Sequence, residues 1–574
     1  MKNFYSTPDY LNLVVAYDGD IQKEIDALDD VSVFLIDDSY AIISVKAENY
    51  KNIVEEIKSI VYIELNGIYT LSESPIEDSK ATNFHRNPYL TLRGKGVIVA
   101  ILDTGIDYLN QEFMREDDTT RIIRIWDQTI DSNKHPKGFI HGTEYLEEDI
   151  NKAIQAKKEG LDPYDIVPSR DLNGHGTKMA GIIGGRGVNR EVIGAAPDCN
   201  FIIIKLEEAS KRYVNYYFAK GDKPKYRNTD ILMALKYLYE LSFQINEPII
   251  IYIPLGSNLG AHSGSSILER YIDNRISKKN SLVVVTSIGN EGNSDTHTSG
   301  LIRNNGDSAV IEINCGKNQN GLFLQIYGRR PSKFGLSITS PSGETFENAN
   351  PQTTKHILIN KNQPWIFIYE GTSVEVTYDS PDEFTGDEKF VIRIENIKEG
   401  IWKFKLTGEH VVEGRYDAWI IQRELLDSET RFLNPAPYTT LTMPGTANSV
   451  ITAAYYNQNN GAIVSESGRG YTRKEVVQPL LATGGINALT IKPGGEIVKV
   501  SGSCVSAAVL AGCCALIMQW AITDGNDPQM YAPKLKTYLI RGARKREGDI
   551  YPNRQWGYGI LDVQEIFNSL INFK

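Results

Sequence analysis

A chain of 574 residues, at about 150 residues per domain, holds roughly two to four folded units. With 41% hydrophobic, 10% aromatic and 23% charged residues, the composition is that of a globular protein and excludes disorder, collagen and coiled coil. Lys+Arg 61 against Asp+Glu 72 leaves a net charge of −11 with no compensating basic patch, so no nucleic acid is expected as a partner.

The first residues, MKNFYSTPDYLNLVVAYDGD, carry no apolar run behind a basic start, and folding in a reducing cytoplasm is the expectation. From Leu11 to Leu71 the hydrophobic pattern changes in order. LNLVVAY reads as a strand, IQKEIDAL as a helix, and VSVFLIDDSYAIISV as two strands turning at Asp37-Asp38. ENYKNIVEEIKSI is helical and VYIELNGIYTL is a strand. This is the β-α-β-β-α-β order of a ferredoxin-like unit. Ser72 to Pro88 shows no periodicity and is read as a linker or exposed connection, closing a first domain over residues 1–85.

From Gly96 to Gly292, GVIVAILDTG, FIIIKL, PIIIYIPLG and SLVVVTSIGNEG alternate with the helical segments DILMALKYLYELSFQ and SSILERYIDNRIS. Continuous apolar strands separated by helices predict an α/β fold, a parallel sheet with helices on both faces and its chemistry at the carboxyl ends of the strands. Residues 299–434 change to short alternating segments with turn residues, among them AVIEINCG, GLFLQIYG, KFVIRIEN and IWKFKLTG, which predicts an inserted antiparallel β-sandwich of jelly-roll-like kind. The α/β domain therefore covers 86–298 and 435–574. Within it, Cys504 to Ile522 is apolar along a length that would cross a bilayer. The abrupt Gly502-Ser503 start and the lack of basic flanks favour a buried core helix over a membrane span.

Four places have the residue types of acyl-transfer chemistry. Asp103 ends a strand in AILDTGID, where Asp-Thr-Gly also suits a plain turn. His175, in DLNGHGTKMAGIIGG, has glycines on both sides that leave the imidazole unobstructed. Asn290, in SIGNEG, is either a turn cap or an amide donor to an oxyanion. Cys504 opens the buried helix in VSGSCVSAAVLAG, as an inert small thiol or as a nucleophile at the positive helix end. The five cysteines are an odd number without paired CxxC spacing, so neither a disulfide scaffold nor a metal or other cofactor is expected.

Together these motifs resemble the subtilisin-like serine proteases, which combine an Asp-Thr-Gly strand end, a His-Gly-Thr helix start, an oxyanion-hole Asn and a Gly-Thr-Ser helix start. VIGAAPDCNFIIIKL, IPLGSNLGAHSG and SGRGYTR are similar as well. The resemblance implies that the N-terminal unit is a prodomain and the chain's own partner. It also implies that Leu255, Gly256 and Ser257 line an edge pairing with an extended peptide. Within this superfamily the N-terminal unit, the insertion after GNEG, MPGTANSVITAAYYN and YPNRQWGYGILD look like the clostridial germination proteases of the Csp family. That implies a spore-associated protein whose substrate or partner is the precursor of a cortex-lytic enzyme or a partner protease.

The departure falls on the nucleophile: Gly502-Ser503-Cys504 stands where the family has Gly-Thr-Ser. Ser503 is no substitute, because the next position on a helix points about 100° away, and Ser506 fails similarly. Three readings stay open from the residues. One is an active endopeptidase with Cys504 as nucleophile, His175 as base, Asp103 as its orienter and Asn290 in the oxyanion hole. The second is a pseudoprotease acting by binding. The third is a carbohydrate-binding or structural β-sandwich protein with a disused α/β domain.

Overall fold

The apolar runs Ile98–Asp103, Asn200–Lys205, Ile249–Ile253 and Leu282–Ser287 lack polar alternation because both faces of their sheet are covered. The computed structural model describes residues 4, 7, 9–48, 56–64, 74–349, 355–359 and 364–571, in two compact units, Met1–Ser72 and Glu73–Lys574. In the larger unit these strands are the middle of a nine-stranded sheet. Its order is Ala462–Ile463, Ile451–Asn457, Leu282–Ser287, Ile249–Ile253, Ile98–Asp103, Asn200–Lys205, Ile122–Asp127 and Thr143–Leu146, with Leu481–Gly484 also beside Ile451–Asn457. Pairing is parallel except for the two outermost strands.

Alternate strand residues feed opposite cores. Val99, Ile101, Ile203, Ile250 and Tyr252 pack with the helices His175–Gly184 and Ser503–Met518. Ala100, Leu102, Ile202, Ile204 and Ile251 pack with the helix Asn228–Leu241. Every residue from Val505 to Met518 is buried in protein, so the long apolar segment is the core helix that its flanks suggested.

The stretch after Ser72 differs from its reading as an exposed connection. Ser74 caps a helix over Pro75–Asp78, its hydroxyl accepting from Ile76 N at 3.2 Å while Glu77 accepts from Ser74 N at 3.3 Å. A second short helix spans Thr82–His85. Ile76, Ala81 and Phe84 belong to the main core, and Tyr456 donates its hydroxyl to Asp78. Helices of four residues are too short to show a 3.6-residue period, which is why the pattern read as structureless.

Between His297–Leu301 and Arg431–Phe432 two antiparallel sheets enclose a separate core that includes Leu324, Phe334, Ile338, Val376, Ile392, Trp402 and Phe404. Every other residue of Thr372–Asp379 and Glu388–Glu395 is buried, the signature of sheets wet on one face. In this core Glu388 accepts from Tyr378 Oη at 2.6 Å and from Phe334 N at 3.1 Å. Burial raises its carboxyl to about 7, against the hydrogen bonds that favour the charged form. The native state therefore holds a proton that the unfolded chain has released between about pH 4.5 and 7, and stability falls as pH rises through that window. Glu388→Gln should flatten this slope in denaturation midpoints measured at pH 5, 6 and 7.

The smaller unit is a four-stranded antiparallel sheet in the order Val31–Leu35, Tyr40–Lys46, Tyr10–Tyr17, Ile60–Glu64. That is the strand order of a split β-α-β pair. The helix Ile21–Asp26 is capped by Asp20, and Val15, Ile21, Ile25, Ile43 and Val45 are in its core. Asp37 accepts from Ser39 N and Tyr40 N at 2.8 Å each, making the turn expected at Asp37-Asp38. Most of the second expected helix, over 49–55, and the last strand beyond residue 64 lie outside the described residues.

Candidate active site

Strand Ile98–Asp103 ends with the Asp103 carboxylate buried at the carboxyl edge of the sheet, and His175 is the first residue of its helix. His175 Nδ1 lies 2.8 and 2.9 Å from the two Asp103 oxygens, and Thr104 N donates to Asp103 Oδ1 at 2.7 Å. Glycine follows His175 because a Cβ on Gly176 would stand 2.1 Å from the Gly105 carbonyl oxygen, so the helix start and the Asp103 loop touch backbone to backbone.

Asp171, which the sequence reading passed over, ties these pieces together. Its Oδ1 accepts from Thr104 Oγ1 and Gly174 N, and its Oδ2 from Thr177 N and Oγ1, all at 2.7 to 2.9 Å. Gly176 N in turn donates to Thr104 Oγ1 at 2.9 Å. The spacing Asp171 to Thr177 was the available signal, a carboxylate ahead of a helix start whose first N–H groups lack partners.

Cys504 is in the first turn of Ser503–Met518, where the positive helix end favours an anion. Its thiol donates to the Pro254 carbonyl at 3.2 Å, and Tyr252 Oη donates to the Cys504 carbonyl at 2.7 Å. Burial of the His175 ring opposes its positive charge. The Asp103 carboxylate outweighs this through its charge and its hydrogen bond with the ring, with the Cys504 side chain adding to the rise, and holds the imidazole well above its ordinary value. Asn290 Oδ1 accepts from Ser503 N at 3.2 Å, which leaves the amide NH2 for a ligand oxygen. Ser503 and Ser506 are buried, and Ser506 Oγ donates to the Ser503 carbonyl at 2.9 Å, so neither hydroxyl stands in for the thiol.

Of the edge residues, Leu255 and Gly256 continue from Pro254. The Gly256 carbonyl accepts from the side-chain amide of Gln422, at the exit of the insertion, at 2.6 Å. Ser257 pairs with Met443 in both directions at 2.9 Å, so its backbone groups are already matched. Among the described residues no group of three His, Cys, Asp or Glu side chains gathers as metal ligands.

A buried Asp, a His beside it, an Asn amide and a nucleophile station on a buried helix define the subtilisin arrangement, and the chain belongs to the subtilase family, which it matches over residues 94–318 and 434–559. Its fold is similar to that of the Clostridium perfringens CspB protease, with a TM-score of 0.74 and 29% identity over 87% of this chain and 98% of that one. It is 24% identical over 246 residues to the major intracellular serine protease of Bacillus subtilis strain 168, a match covering 43% of this chain and 59% of that relative.

Proposed function

We propose that this chain is a pseudoprotease, a subtilase that acts by holding an extended protein segment in its cleft. The observation that carries this reading is the thiol of Cys504, which stands in the nucleophile station and is hydrogen-bonded to Pro254 O at 3.2 Å. Sulfur is larger than oxygen and its bonds longer, and a displacement of about 1 Å in a reacting atom costs roughly 10²-fold in rate. The retained Asp103, His175 and Asn290 keep the cleft in the shape of a binding site and disfavour a disused domain. The likeness to the CspB protease supports a place in spore germination signalling, with a partner protease or a cortex-lytic enzyme precursor as the bound protein and the N-terminal unit as prodomain.

The contact between Asp103 and His175, with its raised imidazole, favours a second reading, an endopeptidase using Cys504 itself. Intact mass after expression separates the two. A single chain of 64.2 kDa supports the pseudoprotease, and a chain cut near the junction of the two units supports the enzyme. For the cleft itself, a peptide strand added along Leu255 and Gly256 needs the Gly256 carbonyl that Gln422 now occupies. Gln422→Ala should therefore tighten binding of an extended peptide about fivefold, as loss of a competitor worth about 1 kcal/mol predicts. Unchanged affinity in a fluorescence titration would show that Gln422 does not compete.

A further inference from the structure

Along Gly321–Gly328 of the insertion, Leu322, Leu324 and Ile326 enter the sandwich core, and by alternation Phe323, Gln325 and Tyr327 stand on the opposite face of the strand. There they line a cavity of about 270 Å³ whose other wall includes Leu259, Gly260 and Ala261 of the α/β domain. Gln325 Oε1 accepts from Gly260 N at 2.7 Å and so ties the two walls together. Tyr217 and Phe384, the latter 45% exposed, add to the aromatic lining. Among the described residues only two charged side chains line the cavity, Asp382 and Lys389, and they pair with each other at 3.3 Å. The second Asp382 oxygen accepts from Thr385 N at 3.0 Å and Thr385 Oγ1 at 2.8 Å, so both carboxylate oxygens are engaged. The ring faces carry cations of the protein's own, because Arg270 stands 5.3 Å from the Phe384 ring and Arg473 5.4 Å from that of Tyr327. What is left unengaged is uncharged. The NH2 of Gln325, the side-chain amide of Asn228 and the hydroxyls of Tyr217 and Tyr327 form no hydrogen bond with a described residue.

We propose that this cavity is a binding site for a neutral sugar, a single pyranose ring. Such a ring has an apolar C–H face that packs on aromatic side chains, and a rim of hydroxyls that both donate and accept. Uncharged amides and phenols are the partners that rim needs, and a site whose two charges cancel gives no advantage to an ion. The volume lies just under the ~300 Å³ at which sites for drug-sized ligands begin, which suits one ring rather than a chain. None of Asp103, His175, Asn290 and Cys504 lines the cavity, so the proposal does not depend on what the peptide cleft does. The sugar would bridge the seam, reaching Gln325 and Tyr327 on the insertion and Asn228 at the start of the helix Asn228–Leu241.

The test titrates the full chain with D-glucose, D-galactose and N-acetyl-D-glucosamine, read by saturation-transfer NMR, with choline and acetate as charged comparators. The expected result is saturable binding of at least one of the sugars at concentrations where choline and acetate show none. Phe384→Ala removes an exposed ring that is not part of the sandwich core, and it should weaken that binding about fivefold, as loss of one stacking contact predicts. Gln325→Glu keeps an oxygen for Gly260 N and replaces the unengaged NH2 by an acceptor, and it should weaken binding by at least as much. Absence of binding by all three sugars, binding of choline or acetate at the same concentrations, or an affinity unaltered in either variant overturns the proposal.

Discussion

Cys504→Ser should turn a chain that stays whole into one that cuts itself. On the proposed reading Asp103, His175 and Asn290 serve the serine hydroxyl: the carboxylate lies 2.8 Å from Nδ1, the imidazole is raised well above its ordinary value by Asp103, and Asn290 Oδ1 accepts from Ser503 N, which leaves its NH2 for a ligand oxygen. The substrate expected for this cut is a segment of the same chain, because an intramolecular segment has an effective concentration that no free substrate matches. The position of the cut follows from packing. Between Ser74 and His85 the chain is capped, largely helical and mostly buried, whereas Arg86 to Thr91 is a loop with Tyr89 97% exposed, so the cut is expected either ahead of Ser74 or in that loop. Adding His175→Ala should abolish it. Intact mass of wild type, Cys504→Ser and the double variant distinguishes the readings. Cutting in the serine variant alone identifies a binding protein one substitution from activity, and cutting in the wild type identifies a thiol enzyme. No cutting in any of the three would place a further lesion elsewhere in the chain.

The residues that were legible in the sequence share a physical cause. Asp103, His175, Asn290 and Cys504 each stand near a strand end or at a helix start within two residues of a glycine, where the backbone turns and neighbouring segments come close. Gly176 against the Gly105 carbonyl is that cause made visible. The residues that were not legible act across long separations. Asp171 reaches Thr104 over 67 positions, beyond the local bonds to Gly174 and Thr177 that were its one signal, and Gln422 reaches Gly256 over 166. The strands Ile122–Asp127 and Thr143–Leu146, at one side of the sheet, were also missed. Polar residues such as Arg124 and Glu144, ion-paired at 2.8 Å, break their apolar run.

Asp171→Ala should cost the protein more than any single change at the reacting groups, and it should cost the site its geometry as well. The substitution strands the buried N–H groups of Gly174 and Thr177 and frees the hydroxyls of Thr104 and Thr177. At about 1–3 kcal/mol for each of the two buried N–H groups left without a partner, and with the hydroxyls free to rotate, the loss is roughly 2–6 kcal/mol. It should appear as a lower denaturant midpoint with an unchanged slope. The effect on the site follows from the chain of bonds running from Gly176 N through Thr104 Oγ1 to Asp171, which sets the helix start bearing His175 against the loop bearing Asp103. Once that chain is cut, the imidazole loses its fixed contact with the carboxylate, and its titration should move down toward the ordinary histidine value. Proton NMR of the ring across pH 5 to 9 reads this directly. In the Cys504→Ser background the same change should slow self-cleavage by about 10²-fold, the cost of a displacement near 1 Å. A fall in stability with an unmoved His175 titration would reduce Asp171 to a support of the loop, whereas a shift in both makes it the residue that positions the pair.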